Sequence, residues 1–140
     1  MMATEYKKPL PVPENPEPSR PFWEAAKRHE LVMPRCKRCN DLFWYPREQC
    51  PNCFSQEIDW VTVSGKGKVY AFTIVYQAAH PEYQKEAPYV FAAIDLLEGT
   101  RIISNVIGIP PDQVKVDMSV EAVFEDVTPE WTLVKFKPAK

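Results

Sequence analysis

A mainly β fold is predicted for this chain of 140 residues. From residue 60 to residue 137, short runs rich in β-branched and aromatic residues alternate apolar and polar side chains, which is typical of half-buried strands. Four cysteines lie close together ahead of these runs, and one short amphipathic stretch precedes the cysteines. The sequence therefore predicts an N-terminal helix, a small unit built on cysteines and a β-domain, in that order.

Residues 1–18 are predicted to form an extended arm. Five of them are prolines, and few are large and apolar. Proline fixes φ and removes a backbone donor, so the segment favours an extended or polyproline-like backbone. A disordered tail and an arm that lies along a partner subunit both fit this composition.

The segment 19–32 is predicted to contain a helix. Ser19 is a suitable N-cap, and Pro21 suits the first turn because its missing N–H is not needed there. Phe22 and Trp23 lead an apolar stripe on this helix. A helix of about three turns is not stable alone in water, so the stripe must pack against another surface.

All four cysteines belong to two C-x-x-C pairs separated by ten residues, Cys36 with Cys39 and Cys50 with Cys53. Each pair can form a tight turn, and two such turns bring four sulfur atoms to one point. Four thiolates suit tetrahedral Zn(II) at about 2.3 Å, and they leave no open position for water or substrate. Residues 33–60 are therefore predicted to be a rubredoxin-like ribbon with a structural zinc ion.

Three other uses of these cysteines remain open. Disulfides need an oxidising compartment, whereas the first residues, MMATEYKKPLPVPENP, lack the apolar core of a signal peptide. A thioredoxin-like pair needs a C-x-x-C at the start of a helix in a βαβ unit, whereas the flanks here are typical of short extended pieces. Iron also binds four thiolates. Reduced, metal-binding cysteines favour a cytoplasmic protein.

The residues after the cysteines predict a five-stranded OB-fold barrel at 61–140. A helical turn at 110–114 falls between the third and fourth main strands, which is the layout of an OB barrel. Gly65 and Gly67 would allow the bend that lets the long first strand serve both sides of the barrel. The predicted strands are Trp60–Val63, Lys66–Gln77, Tyr89–Leu97, Arg101–Ile107, Met118–Val127 and Thr132–Lys137.

The charge balance disfavours a nucleic-acid-binding protein. The formal net charge is −2 with the cysteines counted as neutral, whereas nucleic-acid binding needs Lys and Arg along the phosphates. No apolar run approaches the ~18 residues of a membrane span. Cations do cluster near the cysteines, where they either offset the negative zinc–thiolate charge or form a phosphate-binding face. These cations are Lys27, Arg28, Arg35, Lys37, Arg38 and Arg47.

The order of segments resembles the acyl-CoA-associated zinc-ribbon/OB-fold protein family. The resemblance rests on RPFWEAAKRHELVMPRC, the two cysteine turns, GKGKVYAFTIVYQAAHPEYQKEAPYVFAAIDL and RIISNVIGIPPDQVKVDMSVEAVFED. Members are typically small accessory subunits of thiolase-like, aldolase or MaoC-like hydratase enzymes. The resemblance implies a non-catalytic subunit of a hetero-oligomer that docks on such a catalytic subunit, with a thiolase-like enzyme as the first expectation, and helps to shape its acyl-CoA channel.

No catalytic residue is expected in this chain. Thiolase chemistry needs a nucleophilic cysteine, and every cysteine is assigned to the metal. The histidines are His29 and His80, and the sequence supports no Ser-His-acid arrangement around either. Glu125 and Asp126 are neighbours on a strand, so they tend to point to opposite faces.

Ten residues are predicted to contact acyl-CoA or a partner subunit. Basic residues would meet phosphates, the large apolar residues exceed what a small hairpin can bury, and the loop 78–88 joins the first two barrel strands, where OB folds often contact ligands. A free-standing acyl-CoA-binding protein is the alternative, and an OB-fold nucleic-acid module is third. The ten are Arg20, Phe22, Trp23, Arg28, Lys37, Arg38, Phe43, Trp44, His80 and Tyr83.

Overall fold

The computed structural model describes residues 8–10 and 15–139. In this part of the chain two α-helices, α1 (Arg20–Lys27) and α2 (Pro81–Gln84), accompany seven strands. The predicted mainly β class is confirmed. The strands are β1 (Leu31–Cys36), β2 (Ile58–Val63), β3 (Lys66–Val75), β4 (Tyr89–Leu96), β5 (Arg101–Val106), β6 (Ser119–Asp126) and β7 (Thr132–Pro138).

Helix α1 begins after Ser19, which occupies the N-cap position as predicted. The side chain of Ser19 makes no capping hydrogen bond. Its Oγ donates to the Pro16 carbonyl at 3.2 Å and accepts from the Trp23 indole nitrogen at 3.1 Å. The Ser19 side chain therefore binds Trp23 of the apolar stripe and does not cap the free N–H groups of the first turn.

The boundaries of the N-terminal segments differ from the predicted ones. Helix α1 ends at Lys27, short of residue 32, because His29 adopts a left-handed φ of 61° and β1 starts at Leu31. A 3-10 turn, Glu17–Ser19, replaces extended backbone at the end of the predicted arm. The rest of that prediction falls partly on residues 1–7 and 11–14, which lie outside the described residues.

The ribbon is closed by a two-stranded antiparallel sheet. β1 pairs with β2 from Leu31 opposite Val63 to Cys36 opposite Ile58. The segment Trp60–Val63, predicted among the strands of the β-domain, is therefore the end of a ribbon strand that crosses the predicted boundary at residue 60. Between the two cysteine turns the chain forms only an isolated bridge, Arg35 with Leu42.

The remaining five strands close into a barrel in the order β3-β4-β5-β7-β6. β3 pairs with β4 along its length and with β6 at its start, and a register shift lies between Val69 and Ala71. β5 and β7 are parallel and meet at Val106 and Phe136. A 3-10 turn at Pro111–Gln113 lies between β5 and β6, which confirms the predicted OB layout.

Two glycines permit the sharp start of β3. Gly65 has a φ of +80°, which L side chains rarely adopt. A Cβ at Gly67 would lie 2.4 Å from the carbonyl oxygen of Asp95 on β4, so only glycine allows this close strand approach.

One continuous core joins the ribbon to the barrel. The barrel interior is packed around Val69, Ile94 and Phe136, each 0 % exposed, and burial of each such side chain contributes roughly 1.5–3 kcal/mol. Phe22 of α1 and Met33 of β1 belong to the same cluster. The N-terminal unit is therefore packed on the barrel and not merely tethered to it.

Candidate metal centre and aromatic groove

Two cysteine turns of matching geometry form the metal centre. In the first, the Asn40 N–H donates to the Cys36 carbonyl at 2.8 Å, and in the second the Phe54 N–H donates to the Cys50 carbonyl at 2.9 Å. Asn40 and Phe54 both have a φ of 65°. The second turn therefore has the left-handed geometry of the first, although a bulky residue stands there.

The four sulfur atoms converge as the spacing predicts. All four ligand atoms lie within 4.8 Å of one another. The Cys36 and Cys53 sulfurs are 3.5 Å apart, and those of Cys39 and Cys50 are 3.6 Å apart. These separations are far beyond a disulfide bond of about 2.05 Å. Four thiols gathered around one point form a donor set that fits tetrahedral zinc.

Polar hydrogens also point at the sulfurs. The Cys39 N–H lies 3.4 Å from the Cys36 sulfur, and the Asn52 N–H lies 3.3 Å from the Cys50 sulfur. The Asn52 amide nitrogen is 3.7 Å from the Cys39 sulfur. Such donors stabilise thiolates, which are the form that binds a metal.

The pKa values of two of the thiols, Cys36 and Cys53, are shifted in opposite directions. The hydrogen bond from the Cys39 backbone lowers the pKa of Cys36 to about 7. The backbone hydrogen bond at Ser55 acts to lower the pKa of Cys53, but burial and the neighbouring thiols raise it to about 12. A divalent cation at the centre favours all four thiolates, so these residues fit a bound metal better than a set of free thiols.

The cations predicted near the metal centre split into two groups. Arg35 forms a two-point ion pair with Asp59 across β1 and β2, at 3.2 and 2.9 Å, and this pair raises the pKa of Arg35. Lys37 and Arg38 are exposed within the first cysteine turn. The exposed pair lies on the tip of the ribbon, next to the metal-binding cysteines.

A series of aromatic rings connects the ribbon with the barrel. The ring centroids of Tyr45 and Trp44 are 5.4 Å apart, those of Trp44 and Phe22 are 4.7 Å apart, and those of Phe22 and Trp23 are 5.0 Å apart. Trp23 then meets Trp131, between β6 and β7, at 5.5 Å. This series fixes α1 between ribbon and barrel.

A groove of about 840 Å³ lies beside these rings. Its lining includes Phe22, Trp23 and Trp44 from α1 and the ribbon, and residues of β4, β5 and β7 such as Phe91 and Leu133. Its volume lies in the range of ligand-binding pockets, roughly 300–1,000 Å³. In OB folds this side of the second and third barrel strands, here β4 and β5, often binds ligands.

The loop between β3 and β4 lies at one end of the groove. His80 accepts a hydrogen bond from the Glu82 N–H through Nδ1 at 3.1 Å and so caps helix α2. The Tyr83 hydroxyl donates to the Pro9 carbonyl, and Lys8 forms an ion pair with Glu86. The described part of the N-terminal arm therefore lies on this loop.

A second contact fastens the end of α1 to the barrel. The His29 ring stacks on Phe124 of β6, with centroids 5.3 Å apart. Its Nε2 lies 3.1 Å from the Asp126 carboxylate, which also accepts a 2.5 Å hydrogen bond from the Thr132 hydroxyl. The hydroxyl and the imidazole lower the pKa of Asp126.

The groove includes only part of the predicted contact set. Phe22, Trp23, Trp44 and Tyr83 line it, and Phe43 is buried inside the ribbon. The other residues that line the groove were not predicted. Phe91 could have been, because an aromatic residue at an outward position on a strand indicates a binding surface. The remaining predicted contacts, which do not line the groove, are Arg20, Arg28, Lys37, Arg38 and His80.

The fold and the metal centre define a zinc-ribbon/OB-fold protein. Comparison with known families makes this specific: residues 23–59 match the family described as "ChsH2, rubredoxin-like zinc ribbon domain", and residues 60–125 match "ChsH2, C-terminal OB-fold domain". A "DUF35 domain-containing scaffold protein" from Methanocaldococcus jannaschii is 40% identical over 107 residues, 75% of each chain. The chain belongs to this DUF35 family, and its four cysteines form a structural zinc site.

Two further comparisons cover nearly the whole chain. A "Probable enoyl-CoA hydratase alpha subunit" from Thermomonospora curvata is 38% identical over 97% of this chain, but the chain spans only 44% of that protein. The solved structure titled "Ltp2-ChsH2(DUF35) aldolase" contains a chain with a TM-score of 0.82 and 38% identity, covering 91% of this chain and 99% of that one. Members of the family are scaffold subunits associated with acyl-CoA thiolase, aldolase and hydratase enzymes.

The described residues contain two α-helices, α1 and α2. No helix in residues 8–10 and 15–139 is long and apolar enough to cross a bilayer.

Proposed function

We propose that this chain is a non-catalytic accessory subunit of an acyl-CoA-processing enzyme, with a thiolase-like partner as the first expectation and an aldolase or a hydratase as the others. The observation that carries the proposal is the full-length likeness to a chain of an aldolase complex. The subunit would dock on the catalytic subunit, in the cytoplasm, and shape its acyl-CoA channel.

The engagement of the reactive side chains supports a non-catalytic role. All four cysteines gather at the metal centre, so none is available as a nucleophile. His29 is held by Asp126 and Phe124, and His80 caps α2. Glu125 forms an ion pair with Lys135 at 2.9 Å. Catalytic groups would then come from the partner.

The predicted contacts take two proposed roles. Phe22, Trp23, Trp44 and Tyr83 border the groove, and we assign them to the acyl-CoA channel. Arg20, Arg28, Lys37 and Arg38 carry their charge elsewhere on the surface, where they suit the phosphates of CoA or the partner. His80 and Phe43 act through the geometry of the α2 loop and of the ribbon.

Co-purification tests the proposal. The full chain, tagged and expressed in its native host, should retain a thiolase-like, aldolase or hydratase subunit through size-exclusion chromatography, identified by mass spectrometry. Lys37→Glu with Arg38→Glu should weaken retention if the ribbon tip contacts the partner, whereas Lys68→Glu with Lys115→Glu, at two exposed lysines of the barrel domain, serves as the charge-matched control. Recovery of the chain alone, from cells that contain such enzymes, would contradict an accessory role.

One observation favours a free-standing acyl-CoA-binding protein as the second candidate. The groove lies within a single chain and has the volume of a ligand pocket. Calorimetric titration of the lone chain with an acyl-CoA and with free CoA separates the two functions. Tight binding by a chain that retains no partner would favour the second candidate.

Salt-sensitive binding of single-stranded DNA would instead favour the nucleic-acid alternative, whose support is weak because the groove lysines form ion pairs.

A further inference from the structure

The groove beside α1 contains features that specify its occupant more closely. We propose that it holds an uncharged, ring-bearing acyl group that carries an acceptor oxygen. This inference rests on the proposed function in one respect, namely that the ligand is a thioester of CoA. The walls of the groove alone specify the nature of the acyl group.

The walls favour flat rings. Trp23 of α1 and Trp44 of the ribbon line it, together with Tyr89 and Phe91 of β4. Phe91 is 49 % exposed on a barrel strand, so a large aromatic face is left open to the groove. Aromatic pairs in edge-to-face or offset geometry gain about 0.5–1.5 kcal/mol beyond the burial of their area. A straight alkyl chain would gain only the burial.

The charges of the groove disfavour an anionic occupant. Its described lysines are Lys8 and Lys135. Lys8 forms an ion pair with Glu86, and Lys135 forms one with Glu125 at 2.9 Å. Phosphates or a free carboxylate would have to compete with these carboxylates for the two ammonium groups. The acyl part of a thioester carries no charge, so it fits the groove where the nucleotide part does not.

One wall group lacks a partner. The indole nitrogen of Trp44 is buried and has no hydrogen-bond partner among the described residues. The indole N–H is a donor only, and a buried donor without an acceptor costs about 1–3 kcal/mol. Because Trp44 also lines the groove, an acceptor oxygen on the occupant is the group that could satisfy this donor.

Binding of matched thioesters tests the proposal. The probes are 4-phenylbutanoyl-CoA and decanoyl-CoA, which have the same number of acyl carbons, and 4-oxo-4-phenylbutanoyl-CoA, which adds a ketone oxygen. Burial alone favours decanoyl-CoA, since a saturated chain is more apolar than a ring. We expect 4-phenylbutanoyl-CoA to bind more tightly than decanoyl-CoA, by up to about tenfold, and the ketone to tighten binding further. Free CoA measures the contribution of the nucleotide.

Variants locate the binding. Phe91→Glu should weaken 4-phenylbutanoyl-CoA by about tenfold or more, because it buries a charge in the groove. Tyr70→Glu changes an aromatic residue of similar exposure, 52 %, on β3 outside the groove, and should leave affinity unchanged. Trp44→Phe keeps a ring but removes the N–H, so it should abolish the preference for the ketone. Zinc content and circular dichroism establish that each variant is folded.

The titrations are run on the full chain alone and on the complex with any co-purified partner. The proposal would be overturned if decanoyl-CoA bound as tightly as 4-phenylbutanoyl-CoA or more tightly. It would also be overturned if neither preparation bound either ring-bearing thioester, or if Phe91→Glu left the affinity unchanged. Absence of a co-purified partner would count against the accessory function only. The two failures are therefore distinguishable.

Discussion

The indole rings of Trp23 and Trp131 meet edge to face, with centroids 5.5 Å apart and an interplanar angle of 85°. Trp23 belongs to α1, and Trp131 lies in the loop between β6 and β7 of the barrel. Helix α1 has only eight residues, so it is not stable alone. Its helicity depends on contacts such as this one.

The Trp23 and Trp131 side chains should therefore be energetically coupled. We expect a double-mutant cycle of Trp23→Leu and Trp131→Leu to give a coupling of about 0.5–1.5 kcal/mol. The free energy of unfolding is measured by urea denaturation with zinc present. The pair Trp60→Leu and Trp131→Leu is the control and should be additive. Additivity of both pairs would mean that the ring contact contributes only buried area.

The Asp126 carboxylate should make stability depend on acid pH. Because its pKa is lowered in the folded protein by Thr132 and His29, its stabilising effect is full above the unfolded value of about 3.9 and is lost as the pH falls below that value. Asp126→Asn should be less stable than the wild type at neutral pH, and the difference should shrink below about pH 4. Denaturation midpoints across pH 3–7 measure this.

The control for this pH series is Asp112→Asn, an exposed position in the turn before β6. Its difference from the wild type should be small and should not change with pH. Acid also protonates the zinc ligands, but that loss affects all three proteins alike. A constant difference between the wild type and Asp126→Asn would contradict the role of the carboxylate.

Local chemistry explains what could be predicted from the sequence. The Cys36–Cys53 spacing predicts the metal centre because four thiols at two tight turns have few other arrangements. Strands β3 to β7 follow from their alternation, and β5, for example, ends within one residue of its predicted end. Gly65 and Gly67 mark the bend because no other residue type meets the steric requirement there.

Contacts distant in sequence explain what could not be predicted. The groove is lined by Trp44 of the ribbon together with residues of β5 and β7, and no sequence periodicity predicts that segments so distant in the chain meet. Helix α1 ends before Leu31 because His29 adopts a left-handed conformation that glycine more often supplies. Helix α2 has four residues, too few for a periodic pattern.

The glycine at position 67 should be the most sensitive to added volume. In Gly67→Ala, the new methyl group would lie 2.4 Å from the Asp95 carbonyl oxygen, so β3 and β4 must separate, at a cost of about 3 kcal/mol. Gly99→Ala has nothing within 4 Å but a φ of +106°, so only turn strain of roughly 1–2 kcal/mol applies. Urea midpoints and amide exchange along β3 and β4 distinguish the two. Equal protection of these strands in both variants would refute the steric reason.

Relief of the strained backbone at Phe54 should stabilise the ribbon. Phe54 has a φ of 65° and its side chain is 70 % exposed, so its removal loses little burial. Phe54→Gly gains about 1–2 kcal/mol by relief of the left-handed strain and loses about 0.5–1 kcal/mol through the freer unfolded chain. Phe54→Ala keeps the strain and should not gain. The two variants are compared by denaturation with zinc bound, and a gain in both would point away from the backbone.

Removal of one zinc ligand should unfold the ribbon while the barrel persists. Cys39→Ser leaves three thiols, and structural zinc sites supply apparent binding free energies of roughly 10–16 kcal/mol that fold small domains. We expect loss of stoichiometric zinc by elemental analysis and protease cleavage between residues 36 and 58. Amide exchange should remain slow in β4, whose Val90, Ala92 and Ile94 are buried in the barrel. Glu48→Ser, an exposed change between the two cysteine turns, should keep both zinc and protection, and retention of both by Cys39→Ser would exclude a structural metal.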